Sequence, residues 1–139
     1  SLIAAANAGI WKNLAQCAKY FGVSYPNCDW CAWFVRQCGI KANMNFGTSN
    51  IASQVRGVNG NVSFSATTPK VGDLALIDTH GGSSVGHVGI ITAITGNNIT
   101  TVEGNMSGSV TTSIVKNASY DASGYSSTFG RIVYIGKNS

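Results

Sequence analysis

The segment SFSATTP, residues 63–69, separates two parts of the sequence that differ in the spacing of their apolar residues. Before it, apolar side chains recur every three or four residues, as in helices, and after it they alternate or run continuously, as in strands. A run of helices followed by a run of short strands predicts an α+β domain. We expect a single domain over 1–139, with helices in about 1–60 packed on a mostly antiparallel sheet of five to six strands in about 69–136.

Three helices are predicted in the first part. An apolar stripe with helical spacing ends at Gly22, which is typical of a helix C-terminal cap. A second helix is expected to begin near Asp29 or Trp30 and to end at Gly39, and a third, short one to cover 50–56. The residues of the first stripe are Ile10, Leu14, Cys17, Ala18 and Phe21.

Five strands are predicted in the second part. Each is a short run rich in β-branched residues, and turns rich in Gly, Ser and Asn separate them. No internal repeat and no interdomain linker interrupts them. The predicted strands are 71–77, 87–94, 99–103, 110–115 and 129–135.

The charge pattern excludes several classes of protein. The chain has 9 Lys and Arg, 5 Asp and Glu and a net charge of +4, but its basic residues form no run, which argues against nucleic-acid binding. No apolar run reaches the 18 residues of a membrane span. Charged residues make up 10% of the chain, and abundant Gly, Ser, Asn and Thr suit a secreted or surface protein. The start at Ser1 without a signal region suggests a mature product or an excised domain.

Cys28 and Cys31 form a C-x-x-C motif that has three possible interpretations. A zinc site needs a second pair of ligands, and the other cysteines and histidines have no such spacing. A thioredoxin-like redox pair is expected after the first strand of a βαβ unit, whereas this motif follows a helix. The third interpretation is a nucleophilic thiol at the start of a helix.

Cys31 has the position that a nucleophilic thiol requires. A free thiol has a pKa of about 8.5, and a helix N-terminus with a neighbouring imidazolium lowers such a pKa to about 4 in some proteins. The alternative is that Cys31 is a small apolar core residue, like Cys38.

Two histidines could accompany a nucleophilic cysteine. His80 lies in a glycine-rich loop, where an exposed histidine without a role is common. His87 opens the strand Gly86-His87-Val88-Gly89-Ile90-Ile91, in which glycines allow close approach of a backbone or a substrate. We therefore favour His87.

Glu103 and Asn105 end the next predicted strand and could orient the imidazole ring. A three-residue loop at 96–98 would place Glu103 opposite Ile91 and both polar side chains on the face of His87. A two-residue loop would reverse this, because a shift of one residue moves every side chain to the other face.

Four blocks of the sequence together resemble the CHAP domains, cysteine- and histidine-dependent amidohydrolases/peptidases of the papain-like clan. The resemblance covers about residues 20–136 and implies the papain-like CHAP fold. It identifies Cys31 with the nucleophile, His87 with the base, and Glu103 and Asn105 with the residues that orient the base, whereas Asp73 matches a structural position. The blocks are Asn27-Cys28-Asp29-Trp30-Cys31-Ala32-Trp33-Phe34-Val35, Pro69-Lys70-Val71-Gly72-Asp73-Leu74-Ala75, Gly86-His87-Val88-Gly89-Ile90-Ile91 and Val102-Glu103-Gly104-Asn105.

The resemblance implies hydrolysis of peptidoglycan, either as an N-acetylmuramoyl-L-alanine amidase or as an endopeptidase of the stem or cross-bridge. The Cys31 N–H is expected to supply one oxyanion-hole donor and Tyr25 the second, and Trp30 is a candidate for the substrate groove. We expect no cofactor and no metal, because the Asp-rich calcium loop of some relatives is absent. Cys28 departs from the family pattern and could form a disulfide, for example with Cys17, or trap Cys31 under oxidation.

The expected partner is peptidoglycan, with no nucleic acid and no membrane span. We expect a monomeric domain, which other wall-binding or hydrolase domains could accompany, in a secreted or wall-located bacterial or phage protein such as an endolysin or autolysin. Two alternatives stay open: a catalytically silent wall-binding module and a disulfide oxidoreductase that uses Cys28 and Cys31.

Overall fold

Three helices precede most of the sheet in this computed structural model, which describes residues 1–122, 125–126 and 130–139. The helices are α1 Leu2–Ala8, α2 Leu14–Phe21 and α3 Cys31–Lys41, and 3-10 turns cover Ala52–Gln54 and Phe64–Ala66. The strands are β1 Asn61–Ser63, β2 Leu74–Asp78, β3 Val85–Thr95, β4 Asn98–Met106, β5 Ile114–Tyr120, β6 Tyr125–Ser126 and β7 Gly130–Gly136.

The strands form one sheet in the order β1-β7-β2-β3-β4-β5, and the two-residue β6 pairs with β7. Every strand pair in the described part of the chain is antiparallel. This confirms the predicted α+β class with a largely antiparallel sheet. The short strands β1 and β6 were not predicted, because two or three residues carry too little periodicity to be recognised.

The predicted end of the first helical stripe is confirmed, but its beginning differs. Gly22 caps α2 with φ +71, a left-handed conformation that glycine adopts without strain. At the other end, Asn13 and Gln16 form a capping box, so α2 begins at Leu14 instead of near Ile10. The preceding α1 was missed, because seven residues rich in alanine show little amphipathic pattern.

Gly39 does not end the second predicted helix, since α3 continues to Lys41. A Cβ on Gly39 would lie 2.6 Å from the ring of Phe46. The glycine therefore allows close packing of an aromatic ring inside a helix. The predicted third helix over 50–56 is only the 3-10 turn Ala52–Gln54.

The predicted strand over 110–115 is wrong, because β5 runs from Ile114 to Tyr120. Before it, Ser109 and Thr112 hydrogen-bond to each other, and the N–H of Ser113 donates to the carbonyl of Ser109. These local bonds favour a turn over a strand. The predicted strand 129–135 corresponds to β7, and its first residue lies outside the described residues.

Two apolar clusters occupy opposite faces of the sheet. Val88, Ile90 and Val102 belong to the cluster that includes α3, whereas Ile91 and Ile99 belong to the cluster on the other face. Because side chains alternate along a strand, His87 shares the face of Ile91. No helix in the described ranges is long and apolar enough to cross a membrane.

Candidate active site

Cys31 is the first residue of α3 and is buried, with 4% of its surface exposed. Trp30 is the N-cap, and the first intrahelical bond runs from the N–H of Phe34 to the carbonyl of Trp30. The N–H groups of the first turn of a helix, that of Cys31 included, have no intrahelical acceptor and point along the positive end of the helix dipole. The predicted position of Cys31 at a helix start is thus observed.

The imidazole of His87 lies between Cys31 and Glu103. His87 Nε2 is 2.9 Å from Glu103 Oε1, and both side chains are buried. The His87 ring also hydrogen-bonds to the Cys31 side chain. Three of the predicted site residues therefore form a line of thiol, imidazole and carboxylate.

Glu103 is held in place by two side chains that the sequence analysis missed. Glu103 Oε2 accepts hydrogen bonds from the Thr101 hydroxyl and, at 2.7 Å, from the Tyr120 hydroxyl. Burial raises the pKa of Tyr120, and the charge of Glu103 raises it further, so the phenol stays a donor. The alternation of β4 could have indicated Thr101, two residues before Glu103, but no sequence signal pointed to Tyr120 on β5.

The surroundings of His87 favour its protonated form. Burial lowers the pKa of His87, but its hydrogen bonds to Cys31 and Glu103 and the charges of those two groups outweigh burial and raise the pKa to about 10. The ring is therefore an imidazolium at neutral pH. A positive ring between a thiol and a carboxylate is the arrangement that a thiolate–imidazolium pair needs.

The β3–β4 hairpin has a two-residue loop, so the predicted three-residue loop at 96–98 is wrong. Thr95 pairs directly with Asn98. Gly96, the first loop residue, has φ +58, which a tight two-residue turn of type II′ requires at that position. The Gly-Asn pair suits this tighter turn.

A β-bulge nevertheless keeps Glu103 on the predicted face. Thr92 is an extra residue of β3 with no Cα partner in β4. The shorter loop and the bulge each shift the register by one residue, and a shift of two leaves every side chain on its original face. Glu103 therefore lies opposite Gly89 instead of Ile91, on the same face as His87.

Gly89 makes room for the carboxylate. A Cβ at this position would lie 2.5 Å from Glu103 Cγ and 3.2 Å from the carbonyl oxygen of Val102. Any larger residue would displace the Glu103 side chain or separate the strands. The glycines around His87 were expected to allow a close approach, and the group that approaches Gly89 is Glu103.

Asn105 forms its side-chain hydrogen bonds with residues outside the group of Cys31, His87 and Glu103. Its Oδ1 accepts from the Ser113 hydroxyl at 2.9 Å, and its Nδ2 donates to Asp29 Oδ1 at 3.2 Å. Asn105 has φ +59, so its backbone leaves the extended conformation of β4. The side chain thereby connects the loop before α3 to the loop before β5, and Glu103 is the partner of His87 Nε2.

Trp30 does not line a groove, which corrects the sequence-based expectation. Its side chain is fully buried, and its indole N–H donates to the carbonyl of Val110 at 3.0 Å and to the Ser113 hydroxyl at 2.9 Å. A buried indole needs such a partner for its N–H, and the turn before β5 supplies two. Tyr25 is exposed in the loop between α2 and α3, and its suggested oxyanion role stays a prediction.

All four cysteines are free thiols. Cys17 and Cys38 are buried, whereas Cys28 is exposed, so the suggested bond between Cys17 and Cys28 is not formed. Burial raises the pKa of Cys17 to about 12 and that of Cys38 well above its usual value. Within the described ranges, no group of three or more His, Cys, Asp or Glu side chains could hold a metal ion.

Asp73 is buried away from this line of side chains. It accepts hydrogen bonds from the N–H groups of Lys70 and Asn138, each at 2.9 Å, and pairs with Lys137 at 2.7 Å. It therefore connects the turn before β2 to the segment that follows β7.

The fold and this geometry define a class of α+β proteins in which a cysteine at a helix start faces a histidine–carboxylate pair on an antiparallel sheet. The family model of the CHAP domain matches residues 18–105, and the chain belongs to that family.

Two solved structures share the fold. The crystal structure of Ly7917 matches at a TM-score of 0.53 and 16% identity, over 99% of this chain and 61% of that one. The crystal structure of Ly7917 with the hydrolyzing product of MDP matches at a TM-score of 0.51 and 19% identity, over 97% of this chain and again 61% of that one. This chain thus spans about three fifths of Ly7917, and no curated protein matches it.

Proposed function

We propose that the protein is a peptidoglycan hydrolase that cleaves an amide bond with Cys31 as nucleophile, His87 as acid and base, and Glu103 as the group that orients His87. One observation carries this proposal: the buried His87 ring hydrogen-bonds to Cys31 and lies 2.9 Å from the Glu103 carboxylate. Nucleophile, base and orienting group in hydrogen-bond contact are the arrangement that covalent acyl transfer requires.

The reaction follows from the charges of these groups. The Cys31 thiolate attacks the amide carbonyl carbon, and the tetrahedral intermediate expels the amine, which takes a proton from the His87 imidazolium. Cys31 then carries the acyl group as a thioester. The neutral His87 removes a proton from a water molecule that attacks this thioester, and hydrolysis releases the carboxylic acid and restores the thiolate–imidazolium pair.

The start of α3 supplies electrostatic stabilisation for the intermediate. The N–H of Cys31 lies at the helix N-terminus, where backbone donors and the helix dipole favour negative charge. We propose this N–H as one oxyanion-hole donor. Tyr25 is our candidate for the second, because its exposed phenol belongs to the loop that precedes Cys31.

The substrate class rests on the family and on the charge of the surface. CHAP membership supports peptidoglycan as substrate, and so does the shared fold with Ly7917, whose second structure contains the hydrolyzing product of MDP. The net charge of +4 suits an anionic wall. We further propose that the protein acts outside the cytoplasm, as a bacterial or phage product.

Digestion of purified peptidoglycan tests the proposal. The protein, a Cys31→Ala variant and a Cys28→Ala variant are incubated with several wall types, and the soluble fragments are identified by mass spectrometry. An amidase would release free stem peptides, and an endopeptidase would release peptides cut internally. In either case the protein and Cys28→Ala should give these products, whereas Cys31→Ala should not.

Cys28→Ala is the matched control, because it removes an exposed thiol three residues from the nucleophile. A two-cysteine redox pair would instead release no fragments and would cycle with glutathione, a reaction that both cysteine variants would lose. Absence of any Cys31-dependent product would indicate a silent binding module.

A further inference from the structure

Trp11 combines two unfavourable features that the proposed catalytic groups do not explain. Its side chain is 69% exposed, the largest exposed fraction among the large apolar residues of the described chain. Its backbone has φ +72, in the left-handed region that bulky side chains rarely adopt. A glycine would adopt this conformation without strain. Strain of this kind is concentrated at functional sites.

The backbone around Trp11 is held firmly at the edge of the sheet. The Trp11 N–H donates to the carbonyl of Val115 at 2.8 Å, and the N–H of Val115 donates to the carbonyl of Lys12 at 2.9 Å. The segment therefore lies against β5, and the capping box at Asn13 follows directly. The indole is presented by a fixed backbone, so little side-chain and loop entropy is lost when it binds a ligand.

The indole lies beside Lys116, a residue of the strand that pairs with the strand of Glu103. The ammonium of Lys116 is 6.0 Å from the Trp11 ring centroid, and Lys116 is the direct cross-strand partner of Glu103. Directly paired residues point to the same face of a sheet. Three neighbouring strands thus carry His87, Glu103 and Lys116, in that order. Two strand spacings, about 10 Å in total, separate Lys116 from the strand of His87.

The charge of the surface indicates what this aromatic residue and this lysine would bind. Of the five acidic side chains, Asp73, Asp78 and Glu103 are buried, which leaves only Asp29 and Asp121 exposed. The surface is therefore more positive than the net charge suggests. An exposed indole stacks on the apolar face of a sugar ring, and a neighbouring ammonium pairs with a carboxylate.

We propose that Trp11 and Lys116 form a substrate subsite that binds a sugar ring together with an attached acidic group, as found in a disaccharide–peptide of the bacterial wall. This inference rests on the proposed function, because it places the glycan portion of the same substrate beside the reacting amide. Trp11 supplies the stacking surface and Lys116 the cation.

Fluorescence quenching tests binding separately from catalysis. Trp30 and Trp33 are buried, so acrylamide quenching reports mainly on Trp11. The Cys31→Ala protein is titrated with a disaccharide–peptide, with the free stem peptide and with a neutral chitin oligomer. We expect the disaccharide–peptide to protect Trp11 strongly, the chitin oligomer to protect it weakly and the free peptide not to protect it. Equal quenching with and without saturating disaccharide–peptide would overturn the proposal.

Kinetics with variants gives the second readout. Trp11→Gly relieves the backbone strain, so its melting temperature should not fall, while KM for the disaccharide–peptide should rise about 10-fold with kcat unchanged. Lys116→Gln should weaken binding of the disaccharide–peptide about 5-fold and leave binding of the chitin oligomer unchanged. Tyr134→Ala and Lys19→Gln remove an exposed aromatic ring and an exposed cation elsewhere, and should change neither constant.

The two proposals fail in different ways. If cleavage depends on Cys31 but Trp11→Gly does not alter KM, the subsite is refuted and the proposed hydrolase activity stands. Protection of Trp11 without any Cys31-dependent cleavage would refute the hydrolase and support the subsite. A lower melting temperature with unchanged KM in Trp11→Gly would show that the indole has only a structural role.

Discussion

Replacement of Gly89 by alanine should damage both the packing and the activity of the protein. The new methyl group would lie 2.5 Å from Glu103 Cγ, whereas carbon atoms in contact are normally about 3.5–4.0 Å apart. Overpacking of this kind costs about 1–3 kcal/mol of folding free energy. At about 2.1 cal/mol/K of unfolding entropy per residue, a chain of 139 residues should lose about 3–10 °C in melting temperature.

The loss of activity should exceed the loss of stability. To relieve the contact, the Glu103 carboxylate must move away from His87, and a misplacement of about 1 Å at a catalytic group can lower the rate about 100-fold. The assay is release of soluble fragments from peptidoglycan at a temperature well below the transition, together with thermal unfolding followed by circular dichroism. Gly86→Ala is the control, because it lies on the same strand and its nearest neighbour is the Thr79 hydroxyl, which can rotate away.

A double-mutant cycle identifies the contact. In a Glu103→Ala background the clashing Cγ is absent, so Gly89→Ala should cost at least 1 kcal/mol less than in the wild-type background. The same cost in both backgrounds would mean that Glu103 does not cause the effect. Full activity and an unchanged melting temperature in Gly89→Ala would refute the reasoning altogether.

Three further predictions concern titration and reactivity. Glu103→Gln removes a charge that raises the pKa of His87, so an NMR titration should place that pKa below the wild-type value, and an unchanged value would contradict the pairing. Because the pKa of His87 is raised to about 10, its contribution to stability is complete below about pH 6.5 and disappears as the pH rises towards 10. Melting temperatures should therefore fall over this range more in the wild type than in His87→Gln. The cysteines outside the site should differ in reactivity. Iodoacetamide at pH 7.5 should label exposed Cys28 in the native protein and spare buried Cys17 and Cys38, whose pKa values are raised. Peptide mapping would show the labelled sites, and rapid labelling of Cys17 or Cys38 would contradict their burial.

Local patterns in the sequence predicted the elements that local physics controls. Gly22 ends α2 because its φ of +71 suits glycine, and α3 begins one residue after Trp30, where a helix was expected to start. The positions of Cys31, His87 and Glu103 could also be singled out, because a helix start and two neighbouring strand ends are recognisable in a single sequence. Each of these features depends on a few adjacent residues.

Features that depend on distant residues could not be predicted in the same way. Gly39 looks like a helix end, yet Phe46 packs against it and the helix continues. Trp30 looks like a groove residue, yet the turn before β5, about 80 positions away, provides both acceptors for its indole N–H. The sequence carries no local sign of either contact.

The register of β3 and β4 shows most clearly what the sequence alone determines and what only the tertiary structure decides. The alternation of β4 determined that Thr101 and Glu103 share a face, but only the tertiary structure decided that this face belongs to His87. With the two-residue loop alone, Glu103 would lie on the face of the sheet opposite to His87. The bulge at Thr92 shifts the register by one more residue and places Glu103 on the face of His87. Periodicity is a property of neighbouring residues and can be read from the chain. Register is decided by the packing of a whole sheet, in which a polar side chain is stable only where buried partners such as Tyr120 meet it.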